Sequence, residues 1–194
     1  MKSASSSMHR FNSAAKRTGG AMAGLKKAIG PLAAAAGVGG LTIAFGKAMK
    51  SIDGLAKTAD KLGVTTEALA GLQHAANQTG VSTETMNMAL QRMTRRVAEA
   101  AMGTGEAKGA LAELGLDAER LNKMSPDQTF REVAEAMRQV QNPADRVRLA
   151  MKLFDSEGVA LVNTLRLGSA GIDEMAAEAD RLGLSMSRVD AAQV

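Results

Sequence analysis

The residues from Gly40 to Ala48 come closest in this sequence to a phosphate-binding loop. Gly40 and Gly46 flank the segment and Lys47 follows, as in nucleotide-binding proteins. The two glycines, however, lie one residue further apart than that motif allows, and Ala48 stands where a serine or threonine would bind Mg²⁺. No predicted strand precedes the segment. The sequence therefore predicts no nucleotide site here.

Acid–base and metal chemistry would require histidine, cysteine or paired carboxylates. The chain has no cysteine and two histidines, His9 and His74, and neither has a predicted acidic partner. Asp173, Glu174 and Glu178 share a helix face, where solvated charges are ordinary. We expect neither an enzyme nor a bound metal or cofactor.

Positive charge is concentrated at the N-terminus. Residues 1–52 contain eight lysines and arginines and no acidic residue, whereas residues 53–194 contain 16 basic and 20 acidic residues. Such an arm can bind anionic partners, or it can be a solvated and partly disordered terminus. Inside the body, three arginines on one helix face offer a second anionic contact or a merely soluble face. The candidate residues for anionic contacts are Lys16, Arg17, Lys26, Lys27, Arg92, Arg95 and Arg96.

An uncharged stretch of 19 residues runs from Ala28 to Gly46. Its length would suit a membrane helix, but its many glycines and alanines favour a buried hairpin that turns at residues 37–40. A membrane-active segment is the second interpretation. The side chains that would contact a membrane or a partner are Leu32, Val38, Leu41, Ile43 and Phe45.

The body repeats one turn pattern, in which a glycine is followed by an apolar residue and then by a helix-capping residue. The glycine allows a positive φ just past a helix end, and the Thr, Ser or Asp caps the next helix. The four turn glycines are Gly63, Gly80, Gly115 and Gly183.

Apolar residues between these turns recur with the helical period. Met86, Leu90, Met93, Val97 and Ala101 form one predicted stripe, with the three arginines opposite. A second stripe begins at Phe130, with Arg131 and Glu135 expected to pair across one turn. Met151 is expected on the buried face of a further helix that begins at Pro143. The sequence therefore predicts an all-α bundle of short helices with tight glycine turns.

The sequence pattern predicts three parts. A basic, Ser-rich arm, loosely ordered or helical, covers residues 1–27, and an Ala/Gly-rich apolar segment covers residues 28–51. A helical domain covers residues 52–194.

Six segments of the body, over roughly Ile52 to Gly183, share an order and spacing with one known family. Together they resemble the N-terminal helical region of phage tail tape measure proteins. The segments lie at 59–69 (ADKLGVTTEAL), 80–84 (GVSTE), 89–92 (ALQR), 105–108 (GEAK), 111–117 (LAELGLD) and 150–154 (AMKLF).

The resemblance implies a helical structural protein of a tailed phage or prophage, without an active site in this region. Members run inside the tail tube, set its length and are coated by chaperones during assembly. The implied partners are tube, tip and chaperone proteins, further copies of the chain and the host membrane. The implied locations are the virion tail and, during assembly, the host cytoplasm.

Two departures from the family qualify this expectation. Members are much longer than 194 residues, and residues 185–194 read as the start of a helix without an end signal. We therefore expect a truncated C-terminus, and a head or anchor domain in place of the measuring rod. Two alternatives remain: a membrane-active protein that inserts residues 28–46, and a basic helical DNA-binding protein, with DNA contact the less favoured.

Overall fold

The computed structural model describes residues 53–184, which belong to the unit Ser51–Val194. This part is 79% helical and contains no strand, which confirms the predicted all-α bundle of short helices. Helix α1 occupies residues 53–62. The others are α2 (Thr66–Gln78), α3 (Thr83–Ala101), α4 (Ala107–Glu113), α5 (Ala118–Leu121), α6 (Pro126–Gln139), α7 (Pro143–Phe154), α8 (Gly158–Leu165) and α9 (Gly168–Arg181). A 3₁₀ turn, Asp155–Glu157, joins α7 to α8.

The four predicted turn glycines share one backbone geometry. Their φ angles lie between +70° and +85°. At Gly80, for example, the N–H of Val81 donates to the carbonyl of Ala76 at 2.8 Å, and the Gly80 N–H donates to Asn77 at 3.1 Å. This pair of bonds closes a helix end and satisfies carbonyls that would otherwise have no partner. The same pair recurs at Gly63, Gly115 and Gly183.

A fifth turn of this kind ends α3. The backbone N–H of Thr104 donates to the carbonyl of Glu99, and Gly103 has a φ of +81°. The sequence pattern missed it because Thr104, a polar residue, follows the glycine where the other turns have an apolar one.

Helix α3 lies at the centre of the described bundle. It contacts α2, α4, α5, α6, α7, α8 and the 3₁₀ turn. The side chains of Met86, Leu90 and Met93 are fully buried, which matches the predicted stripe. Ser82 caps the start of the helix, since its hydroxyl accepts from the Thr85 N–H at 3.1 Å.

Two phenylalanines close the core between α6 and α7. The rings of Phe130 and Phe154 are fully buried and meet edge to face, with centroids 5.7 Å apart. The buried hydroxyl of Thr164 lies 2.6 Å from that of Thr79, so this polar group is satisfied inside the bundle.

Helices α2 and α9 pack closely because small residues face each other. A Cβ atom on Gly71 would lie 2.7 Å from the Cβ of Ala176. No side chain larger than hydrogen fits there without moving one helix away from the other.

A carboxylate of α6 caps the start of α9. Glu135 accepts hydrogen bonds from the backbone N–H and the hydroxyl of Ser169, both at 3.2 Å. Arg138 binds the same carboxylate at 2.6 Å. The hydrogen bond from Arg138 and the one from the Ser169 N–H lower the pKa of Glu135 to about 2.

Two expectations about single side chains were wrong. Met151 is 46% exposed, because Leu149, Ala150, Leu153 and Phe154 form the buried face of α7. Arg131 does not pair with Glu135. It binds Asp127 at 2.8 Å and Asp173 at 2.7 Å, because Glu135 faces the N-terminus of α9.

We expect Gly71→Ala to destabilise the bundle by about 1–3 kcal/mol, because the added methyl group overpacks the contact with Ala176. Gly109→Ala is the matched control. Gly109 is also inside a helix, but its Cβ would meet nothing within 4 Å. There the exchange should stabilise by about 0.5–1 kcal/mol. Urea unfolding followed by circular dichroism measures both changes, and equal effects would contradict the close packing of α2 and α9.

Acid should reveal the contribution of Glu135. Its folded pKa lies below the value of an unfolded glutamate, so its stabilisation is present above about pH 4.5 and is lost as the pH falls towards 2. We expect Glu135→Gln to make the free energy of unfolding less dependent on pH across this window. Glu174→Gln, which removes an exposed carboxylate from α9, is the control for the loss of one negative charge, and Glu135→Gln should change the dependence more than this control does. Parallel curves for the wild type and Glu135→Gln would contradict the cap.

Candidate partner-binding surface

Helix α3 carries the three arginines that the sequence predicted as possible anionic contacts, Arg92, Arg95 and Arg96. Burial of Met86, Leu90 and Met93 on one side of the helix turns Arg92 and Arg95 to the opposite side, beside the junction of α7 and α8. The structure brings all three arginines to one region, but their environments differ.

Arg92 binds the α7–α8 junction. Its Nη1 lies 3.0 Å from Asp155 Oδ2 and 2.9 Å from Glu157 Oε2, and it also donates to the hydroxyl of Ser156 at 3.0 Å. The side chain is 29% exposed. Its charge is therefore largely matched within the chain.

Arg96 is the most buried of the three arginines. Its Nη1 donates to the carbonyl of Lys152 at 2.7 Å, in the last turn of α7, where carbonyls have no helical partner. Its Nη2 lies 3.1 Å from Asp155, and Glu106 is 3.5 Å from Nη1. Arg96 thus links α3 to the C-terminal end of α7.

The Asp155 carboxylate binds both of these arginines, and its backbone conformation is unusual. Its φ of +61° and ψ of −142° lie outside the regions that side-chain-bearing residues favour, a conformation that costs on the order of 1–3 kcal/mol. Burial alone would raise the pKa of Asp155, but the charges of Arg96 and Arg92 outweigh it and hold the pKa below its ordinary value. The ion pairs therefore stabilise the junction as well as the carboxylate.

Of the three arginines on α3, Arg95 is the most exposed to solvent. It is 60% exposed and pairs with Glu99, one turn along the helix, at 3.0 Å. Met88 is 43% exposed on the same side of α3. A shallow depression of about 480 Å³ lies between this face and the junction, lined by Met88, Gln91, Arg92, Arg95 and Asp155. We call these five residues the α3 surface.

A second depression, of about 330 Å³, is lined in part by His74, for which the sequence predicted no acidic partner. His74 lies on its wall and is 8% exposed, and its Nε2 is 3.5 Å from Glu178 Oε2. The sequence could not predict this contact, because Glu178 belongs to α9 and is brought to α2 only by the tertiary packing. Gln73 donates to Asn87 at 2.8 Å in the same depression.

The remaining predicted site residues lie outside the described part of the chain. The basic group comprises Lys16, Arg17, Lys26 and Lys27, and the apolar group comprises Leu32, Val38, Leu41, Ile43 and Phe45. Within residues 53–184, no helix combines the length and hydropathy that crossing a bilayer requires. Over that range, no cluster of three or more His, Cys, Asp or Glu side chains could hold a metal ion.

Comparison with known proteins adds no relative to this description. No protein-family model, no curated protein and no solved structure matches the chain.

We expect Arg96→Met to destabilise the bundle by about 2 kcal/mol, because it leaves the Lys152 carbonyl without its charged donor and removes one of the two arginines that bind Asp155. Arg95→Met is the matched control on the same helix. As an exposed pair, Arg95 and Glu99 should contribute at most about 0.5 kcal/mol. Urea midpoints of the two variants test this. A larger effect of Arg95→Met would show that the exposed arginine, and not the buried one, holds the bundle.

Proposed function

We propose that this chain is the N-terminal part of a phage tail tape measure protein. In this role it acts in tail assembly and length determination by packing its helical body against other tail proteins. The candidate contact is the α3 surface.

One observation carries the proposal. The six segments that resemble the tape measure family all lie within the helical body described at residues 53–184. The resembling segments also fall at positions that determine its fold. Three of them contain the turns at Gly63, Gly80 and Gly115, and the segment 150–154 is the end of α7 that Arg96 holds.

The dimensions of the body favour an anchoring role over a measuring one. The longest described helix, α3, has 19 residues and so spans about 29 Å at the helical rise. Its neighbours fold back on it and form a bundle. A length ruler needs extended helix, so we assign this part to the attachment or initiation of the ruler.

The α3 surface suits a protein partner because it combines an exposed apolar side chain with a charged one. Met88 can adapt its shape to a neighbouring helix, and Arg95 can exchange Glu99 for an acidic group of the partner. Both lie on α3, whose opposite face is buried against most of the other helices, so the surface is held rigidly.

The test uses the phage or lysogen that encodes the chain. We expect deletion of codons 53–184 to abolish tails of normal length in electron micrographs. We also expect peptides from this range in purified tails or tail assembly intermediates. Tails of unchanged number and length after the deletion would overturn the proposal.

A surface variant separates partner binding from folding. Met88→Glu combined with Arg95→Glu should reduce the number of assembled tails. The free energy of unfolding of the purified protein, from urea titration, should stay within about 0.5 kcal/mol of the wild type. Gly109→Ala, at an open helix position that is not one of the five residues of this surface, is the matched control and should assemble normally. Normal assembly of the double variant would remove the α3 surface from the proposal.

A further inference from the structure

Asp155 differs in backbone conformation from every other described aspartate. It is the only non-glycine residue with a positive φ in the range 53–184. Six of the other aspartates, at positions 53, 60, 127, 145, 173 and 180, lie within helices, and Asp117 is an extended N-cap with a ψ of 115°. The difference places the side chain of Asp155 in an uncommon position relative to the next peptide bond.

At a ψ of −142°, the Cβ of Asp155 nearly eclipses the Ser156 nitrogen when viewed along the Cα–C bond. This follows because the side-chain bond is one third of a turn from the backbone N–Cα bond at a tetrahedral carbon. The carboxyl group therefore lies beside the nitrogen of the following residue. The Ser156 N–H donates to Asp155 Oδ1 at 3.0 Å, which confirms this approach.

In a helix the same side chain points elsewhere. The helical ψ rotates Cβ away from the next nitrogen, and most N–H groups of a helix are engaged by carbonyls one turn back. Asp155 thus lies near the geometry of a five-membered ring, whereas the helical aspartates do not.

We propose that Asp155 is a site of spontaneous backbone isomerisation through a succinimide. The Ser156 nitrogen forms a bond to Cγ of Asp155, the bond from Cγ to the carboxyl hydroxyl breaks, and the nitrogen gives up its proton. One water molecule leaves. Water then adds to either ring carbonyl, which restores aspartate or yields isoaspartate, with one more carbon in the main chain.

The two arginines restrain this reaction. Arg92 and Arg96 both bind Oδ2, whereas the Ser156 N–H donates to Oδ1, and the two arginine distances are 3.0 and 3.1 Å. Ring closure needs a protonated carboxyl group as the source of the departing water, and two neighbouring guanidinium groups favour the ionised form. Arg92 also holds the hydroxyl of Ser156. We therefore expect slow isomerisation in the intact bundle, and a faster reaction when Arg92 is removed.

A second aspartate in the chain provides an internal standard. Asp53 is followed by Gly54, whose nitrogen has no side chain to shield it, but Asp53 is helical in the structure. The folded protein should react preferentially at Asp155, whereas a chain without structure should react preferentially at Asp53.

The experiment incubates the full-length protein at about pH 5, where part of any carboxylate population is protonated, with and without a denaturing concentration of urea. Isoaspartate is quantified at each position by peptide mapping with isoaspartyl methyltransferase labelling. We expect several-fold more isoaspartate at 155 than at 53 in the folded protein, and the reverse order in urea. An order that is the same in both conditions, or no excess at 155 when folded, would overturn the proposal.

Two arginine variants test the restraint. Arg92→Gln should raise the rate at 155 several-fold without raising the rate at 53, and Arg95→Gln, which does not contact Asp155, should change neither. Because Asp53 reports general unfolding, a rise at both positions or at neither in Arg92→Gln would contradict the restraint.

Discussion

Burial of one face of α3 is the constraint on which the rest of this bundle depends. The fully buried Met86, Leu90 and Met93 offer an apolar surface that no single neighbouring helix could cover, and the chain folds α2 and α4–α8 around it. Once that face is turned inward, the opposite face of α3 must lie at the surface of the bundle. The positions of Arg92 and Arg95, and hence the α3 surface, follow from this burial.

Close approaches between helices then depend on glycine. Gly71 lets α2 reach α9, and Gly158 lets the start of α8 lie against α7, where an added Cβ would be 2.3 Å from the carbonyl oxygen of Ala150. At Gly168, an added Cβ would meet Arg138 and Glu135 at 2.7 Å. In a chain with few aromatic residues, small side chains replace bulk as the means of filling the interior.

Polar contacts hold in place the helix ends that apolar packing does not fix. Arg96 binds the end of α7, and Glu135 binds the start of α9, so each supplies a charge to a helix terminus that has unpaired backbone groups. The strained Asp155 persists because two arginines bind it. A body held in this way is suited to present a rigid surface to assembly partners, as our proposal of a tape measure anchor requires.

Local sequence signals were enough to predict the helices and turns of this protein. Glycine turns, capping residues and apolar periodicity are local signals, and they predicted the all-α bundle, the turns at Gly63, Gly80 and Gly115, and the buried stripe of α3. Which distant residues meet depends on how the helices pack. The packing paired Arg92 and Arg96 with Asp155, His74 with Glu178, and Arg131 with Asp173, and it left Met151 exposed. Periodicity shows that a face is buried but not what buries it, because that depends on helix directions set by the whole bundle. These long-range contacts therefore could not be predicted before the helices were packed together.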